Sequence, residues 1–173
     1  MFLDEVYFWT NTIKDWSRLL QIDQYKQIII DSLSTLVKRK MIKVYGFVIM
    51  PNHIHLLWKM LEFNGKEMPH ASFNKFTAHQ IISDLRKTNT NSLKQFEVNE
   101  EDRRYRVWQR DPLAVNMFST KVIEQKLKYI HNNPLQEHWN LATSPEKYKW
   151  SSAKFYEIGV DDFNFITHYK EDF

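Results

Sequence analysis

Two histidines separated by one isoleucine, His53 and His55, sit inside the run MPNHIHLLW from Met50 to Trp58. In an extended strand successive side chains alternate between faces, so both imidazoles emerge on one side while Ile54 faces the other. Two imidazoles on one rigid edge can form half of a metal site, because neutral ring nitrogens are common ligands of divalent ions. The same pair also suits a half-exposed strand that holds no metal, so other residues must decide between the two. A second set lies far along the chain, in Lys126, Tyr129 and Asn133. On a helix, positions advance by about 100°, which places Tyr129 and Asn133 about 40° apart on one flank, with Lys126 beside them one turn earlier. A tyrosine becomes a useful nucleophile only when its phenolate is stabilised, since an unperturbed phenol ionises near pH 10. A bound cation or an adjacent ammonium group supplies that stabilisation. From this helix alone the simpler account is that Tyr129 is an amphipathic boundary residue and Asn133 a helix C-terminal cap.

The elements that must position these groups can be read from periodicity. Val6–Thr10 is β-branched and aromatic and predicts a first strand. From Ile22 to Lys38 apolar residues recur at helical spacing and end in the basic group Lys38–Lys40. Ile42–Met50 and His53–Met60 predict two strands joined through Pro51–Asn52, most simply an antiparallel hairpin. Glu62–Ala71 reads as a loop, and Ser72 as the cap of a helix whose apolar face is Phe73, Phe76, Ile81, Ile82 and Leu85. Thr88–Arg104 is polar and aperiodic, and reads as a long loop. Tyr105–Gln109 and Leu113–Phe118 look extended on either side of Arg110–Asp111–Pro112. Ser119 then caps a helix through His131, with Ile123, Leu127 and Ile130 facing the core, and Asn132–Asn133–Pro134 stops it. The order strand, helix, strand, strand, helix, strand predicts an α+β fold of the split βαβ, ferredoxin-like kind. It has an antiparallel sheet, helices on one face and a C-terminal helix carrying the tyrosine.

Length and composition narrow the classes. The 173 residues suit one domain spanning 1–173, with a core of about 5–133 and a packed C-terminal extension over 134–173. The absence of cysteine excludes disulfide scaffolds, thiolate zinc sites and cysteine catalysis, and is compatible with a cytoplasmic setting. No apolar stretch approaches the ~20 residues of a membrane helix, and the N-terminus does not read as a signal peptide. The net charge of +3 is too weak to define a partner. Basic clusters at Lys38–Lys43, at Arg103, Arg104, Arg106 and Arg110, and at Lys121, Lys126 and Lys128 read either as solvated faces or as phosphate contacts. Trp108, Trp139 and Trp150 could stack on unpaired bases or belong to the core. His70, His79, His131, His138 and His168 lack any comparable pairing and read as surface or structural residues.

The segments MPNHIHLLW, VWQRDP, YIHNNPL and PEKYKWSSAKFY, in this order and spacing, resemble the single-tyrosine HUH transposases of the insertion-sequence 200-like class, above all the REP-associated tyrosine transposases. The resemblance runs from the first strand to about Tyr156, and its histidine–hydrophobic–histidine signature falls on His53, Ile54 and His55. It implies a metal-dependent nuclease and strand transferase acting on single-stranded or hairpin DNA. His53 and His55 would bind a divalent cation, Mg²⁺ or Mn²⁺, and Tyr129 would attack the scissile phosphate to form a 5′-phosphotyrosine. Asn133 matches a polar position where relatives contribute a further metal ligand. Mobile insertion-sequence relatives carry glutamine there, which leaves direct coordination by Asn133 open. Lys126 and Arg110 are the candidate DNA contacts. A homodimer, in which the tyrosine helix completes a partner's site, and a monomer are both compatible with the resemblance. A non-catalytic DNA-binding or regulatory descendant and a phosphoesterase using water are the competing readings.

Overall fold

A computed structural model describes residues 1–173. Its central sheet is built from β1 (Val6–Thr12), β2 (Ile42–Ile49), β3 (His53–Met60) and β6 (Leu113–Asn116), in the order β2-β3-β1-β6. Every neighbouring pair is antiparallel, the arrangement expected of a split βαβ fold. Helices α1 (Asp23–Lys38) and α2 (Pro69–Thr88) cover one face. There Trp9 and Trp58 stack with centroids 5.1 Å apart, and the Phe73 ring of α2 meets Trp9 edge-on at 5.9 Å. Ile29, Leu33 and Leu36 of α1 and Ile81 and Leu85 of α2 complete this layer of the core.

The opposite face receives α4 (Thr120–Asn132), whose Ser119 cap accepts from the Val122 amide. Ile123, Leu127 and Ile130 form its buried stripe, at the spacing of an amphipathic helix. The helix lies close over Gly46, beside a bulge in β2, where a Cβ atom would stand 2.4 Å from Leu127 Cδ2. Only a residue without a side chain lets the helix lie this close to the sheet.

The C-terminal extension seals the free edge of β2. The Ile49 amide donates to the Trp150 carbonyl at 2.9 Å, the Ser152 amide to Phe47 O at 3.0 Å, and the Thr167 amide to Val44 O at 2.8 Å. A covered edge cannot template pairing with another chain. The same segment reaches α4, where the Tyr169 hydroxyl donates to Glu124 at 2.6 Å.

Several elements differ from the sequence reading. The second helix starts at Pro69 rather than after Ser72, because proline suits the first helical turn and Met68 takes the cap position. The Ser72 hydroxyl instead donates back to the Pro69 carbonyl at 3.0 Å. Thr88–Arg104 is not a loop. It holds α3 (Thr90–Lys94), capped by the Asn89 side chain, and a small hairpin of β4 (Glu97–Glu100) and β5 (Arg103–Tyr105). These charged strands are too short for alternation to register, and ion pairs such as Arg104–Glu97 at 3.0 Å tie them together. Past β5 the expected strand reduces to a single bridge, Trp108 with Ile13. The pairing of α1 with α2 on one face and the separate C-terminal helix are as expected, with α4 on the face opposite α1 and α2. Finally, β1 runs two residues beyond Thr10, so that Thr12 lies beside His53.

Candidate active site

Antiparallel pairing sets Thr10 opposite His55 and Thr12 opposite His53, all on the face that carries α4. Both imidazoles therefore point toward the flank of α4 in their own chain. The His53 and His55 rings lie 4.7 Å apart, and the Tyr129 ring lies 5.4 Å from His55. Asn133 follows α4 directly and turns into a 3-10 segment, Asn133–Leu135, which buries its side chain to 3% exposure beside His55. Tyr129 keeps 45% of its surface open to solvent. Together with Thr10, Asn52, Trp16, Gln136, His138 and Trp139, these residues line an open cleft of about 340 Å³.

The protonation pattern follows from the hydrogen bonds. Asn52 Nδ2 is directed to the Trp16 carbonyl, so its Oδ1 accepts from His53 Nδ1–H at 2.6 Å, and the His53 Nε2 lone pair is left free. The Thr10 hydroxyl lies 2.7 Å from His55 Nδ1 and orients that ring in the same manner. Burial lowers His53 to about 4 and, with the nearby His53 and Lys126 charges, lowers His55 to about 3. Both rings are neutral at pH 7, the state that binds a metal.

Asn133 Oδ1 is buried without any hydrogen-bond partner, while its Nδ2 stands 3.5 Å from His55 Nε2. An orphaned buried carbonyl is costly unless something else completes its shell. His53, His55 and Asn133 line the same cleft and together offer nitrogen and oxygen donors of the kind a divalent ion takes. Nowhere do three His, Cys, Asp or Glu side chains converge as an alternative metal cluster.

Of the two candidate DNA contacts, Lys126 is at the site, its Nζ 4.6 Å from the Phe8 ring centroid and 5.9 Å from that of Tyr129. Arg110 is not brought to the cleft. Its guanidinium lies 3.0 Å from Glu100, a carboxylate it shares with Arg106 at 2.6 Å. His131 belongs to the core, bonded to Ser152 Oγ at 2.8 Å and pushed down to about 4 by burial. Trp108 and Trp150 are core residues whose indole N–H groups reach Thr77 and Asp23. Trp139 is half-buried with its ring 6.0 Å from His53.

No family model matches the chain, and no curated protein does. A solved structure of a REP-associated tyrosine transposase bound to a REP hairpin superposes with a TM-score of 0.60. The match covers 96% of this chain and 87% of that one, at 18% sequence identity. The likeness establishes the fold. The site rests on this chain's own geometry.

Sequence reasoning missed Thr10, Asn52, Trp16, Gln136 and His138. Asn52 could have been found from its place in the PNH triplet, directly before the first histidine. Thr10 depends on the register between β1 and β3, and Gln136 and His138 on the 3-10 turn after α4, none of which has a local signature.

Proposed function

We propose that this chain cleaves and rejoins single-stranded DNA through a covalent 5′-phosphotyrosine on Tyr129. The observation that carries the reading is a half-exposed tyrosine beside two neutral, oriented histidines and an orphaned amide oxygen, all in one open cleft of one chain. His53, His55 and Asn133 would hold Mg²⁺ or Mn²⁺. When bound, such an ion neutralises negative charge on the phosphoryl oxygens.

The chain's own groups perform the remaining tasks. Tyr129 Oη forms a bond to phosphorus as the bond from phosphorus to the 3′-oxygen breaks. The phenolic proton passes to water, and the departing 3′-oxygen takes a proton from water to become a hydroxyl. Lys126 places positive charge over the Phe8 and Tyr129 rings, where it favours the developing phenolate and the incoming phosphate. Because the phosphotyrosine keeps the energy of the original diester, attack by a 3′-hydroxyl of DNA reverses the chemistry and joins strands without a nucleotide cofactor. The REP-hairpin ligand of the structural neighbour makes a hairpin with a single-stranded flank the substrate to try first.

The test is incubation of the protein with such an oligonucleotide and Mn²⁺, followed by denaturing electrophoresis. A denaturant-resistant protein–DNA adduct is expected, absent in Tyr129→Phe although that variant still binds. Cleavage without adduct would mean hydrolysis by water, and binding without cleavage a non-catalytic DNA-binding protein.

A further inference from the structure

The turn that follows β1 carries strain with no packing return. Asp15 and Trp16 are consecutive non-glycine residues in left-handed backbone, with φ of 56° and 53°. Such residues persist only where their surroundings hold them, and they gather at functional sites. The surroundings here are explicit: the Lys14 amide donates to Val107 O at 2.7 Å, the Trp16 amide to Ile13 O at 3.0 Å, and Asn52 Nδ2 to the Trp16 carbonyl at 3.4 Å. Yet the indole they hold is 67% exposed and contributes little to the core.

That indole lines the same cleft as His53 and Tyr129. Asn52 joins the two features, since one end of its amide holds the Trp16 carbonyl and the other orients His53. Across the His53 side stands Trp139, with the Arg18 guanidinium 5.5 Å from its ring centroid. An exposed indole at the mouth of a phosphate-handling cleft offers an apolar, polarisable face to a planar ring. A base inside a duplex already has both faces stacked, so only an unpaired base can use it.

We infer that Trp16 is a positioning residue that stacks on one unpaired nucleobase of the strand entering the cleft, next to the phosphate that Tyr129 attacks. The inference rests on the reading of this cleft as a DNA-cleaving site. Trp16 would select single-stranded over duplex DNA at this step and fix the register of the scissile phosphate, while its left-handed turn keeps the ring out of the core.

The experiment measures affinity by fluorescence anisotropy, and adduct yield with Mn²⁺, for wild type, Trp16→Ala, Trp16→Phe and Trp16→Gly. The substrates are hairpin oligonucleotides whose single-stranded flank carries an abasic site at each position in turn. Trp16→Ala is expected to bind the intact strand roughly 5- to 150-fold more weakly, with Trp16→Phe retaining most of the affinity. One abasic position should weaken wild type by a similar factor and leave Trp16→Ala unaffected. Trp16→Gly relieves the positive φ, so its melting temperature should not fall while its binding does, a split that a structural role would not produce. If wild type forms adducts but Trp16→Ala binds equally well, or no abasic penalty disappears in it, the stacking role is wrong and the cleavage reading stands. If wild type forms no adduct with any strand, both fail.

Discussion

Replacing Gly46 by alanine puts a methyl group 2.4 Å from Leu127 Cδ2, 3.2 Å from Ile130 Cδ1 and 3.3 Å from Ser152 Oγ. Ordinary contact begins near 3.4 Å, so the nearest pair must separate by about 1 Å. Leu127 and Ile130 are buried in a close-packed layer, so turning either side chain displaces its neighbours and part of the strain passes to α4. Overpacking of this kind costs about 1–3 kcal/mol. The catalytic cost should be larger, because α4 carries Tyr129 while both histidines belong to β3, and a misplacement of ~1 Å can cost ~100-fold in rate. Gly46→Ala should therefore unfold at lower denaturant concentration with an unchanged slope and form the DNA adduct ~100-fold more slowly. Adding Leu127→Ala removes the methyl groups that clash and should return much of the adduct rate, although it opens a cavity of its own. Wild-type stability and wild-type adduct rate in Gly46→Ala would refute the claim that this contact sets the distance between helix and sheet.

Two further outcomes follow from the histidines. Thr10→Val keeps the side-chain shape but removes the oxygen 2.7 Å from His55 Nδ1, so Mn²⁺ affinity measured by calorimetry should fall ~10- to 100-fold without loss of fold; unchanged affinity would show that Thr10 does not orient the ring. Acid should destabilise the metal-free protein, because His131 ionises near 4 when folded against 6.5 for the free side chain. The unfolded chain thus binds the extra proton first, and the stability present above pH 6.5 is lost as pH falls toward 4, at up to about 1.4 kcal/mol per pH unit. His53 and His55 add losses of the same sign. Urea unfolding at pH 7, 6 and 5 should give a shallower pH slope for His131→Gln than for wild type, and equal slopes would contradict the assignment.

Periodicity-two alternation in His53–Ile54–His55 needed no tertiary information to place both imidazoles on one face, and the spacing of Ile123, Leu127 and Ile130 set the buried stripe of α4. The order of elements likewise implied the split βαβ sheet that the structure has. These are local properties of the chain, carried by side-chain direction and turn chemistry. What periodicity could not supply is which separated elements meet. The register that puts Thr10 against His55, the glycine that admits α4 to the sheet and the turn that carries Asn133 under the histidine all depend on contacts between distant residues. Arg110 and Lys126 look alike in sequence, but the fold pairs one with Glu100 away from the cleft and sets the other over the tyrosine ring. Residue types and local spacing determined the candidate ligands and nucleophile; long-range packing alone determined that they share one cleft, because only the folded chain brings β3 and α4, some 70 residues apart, face to face.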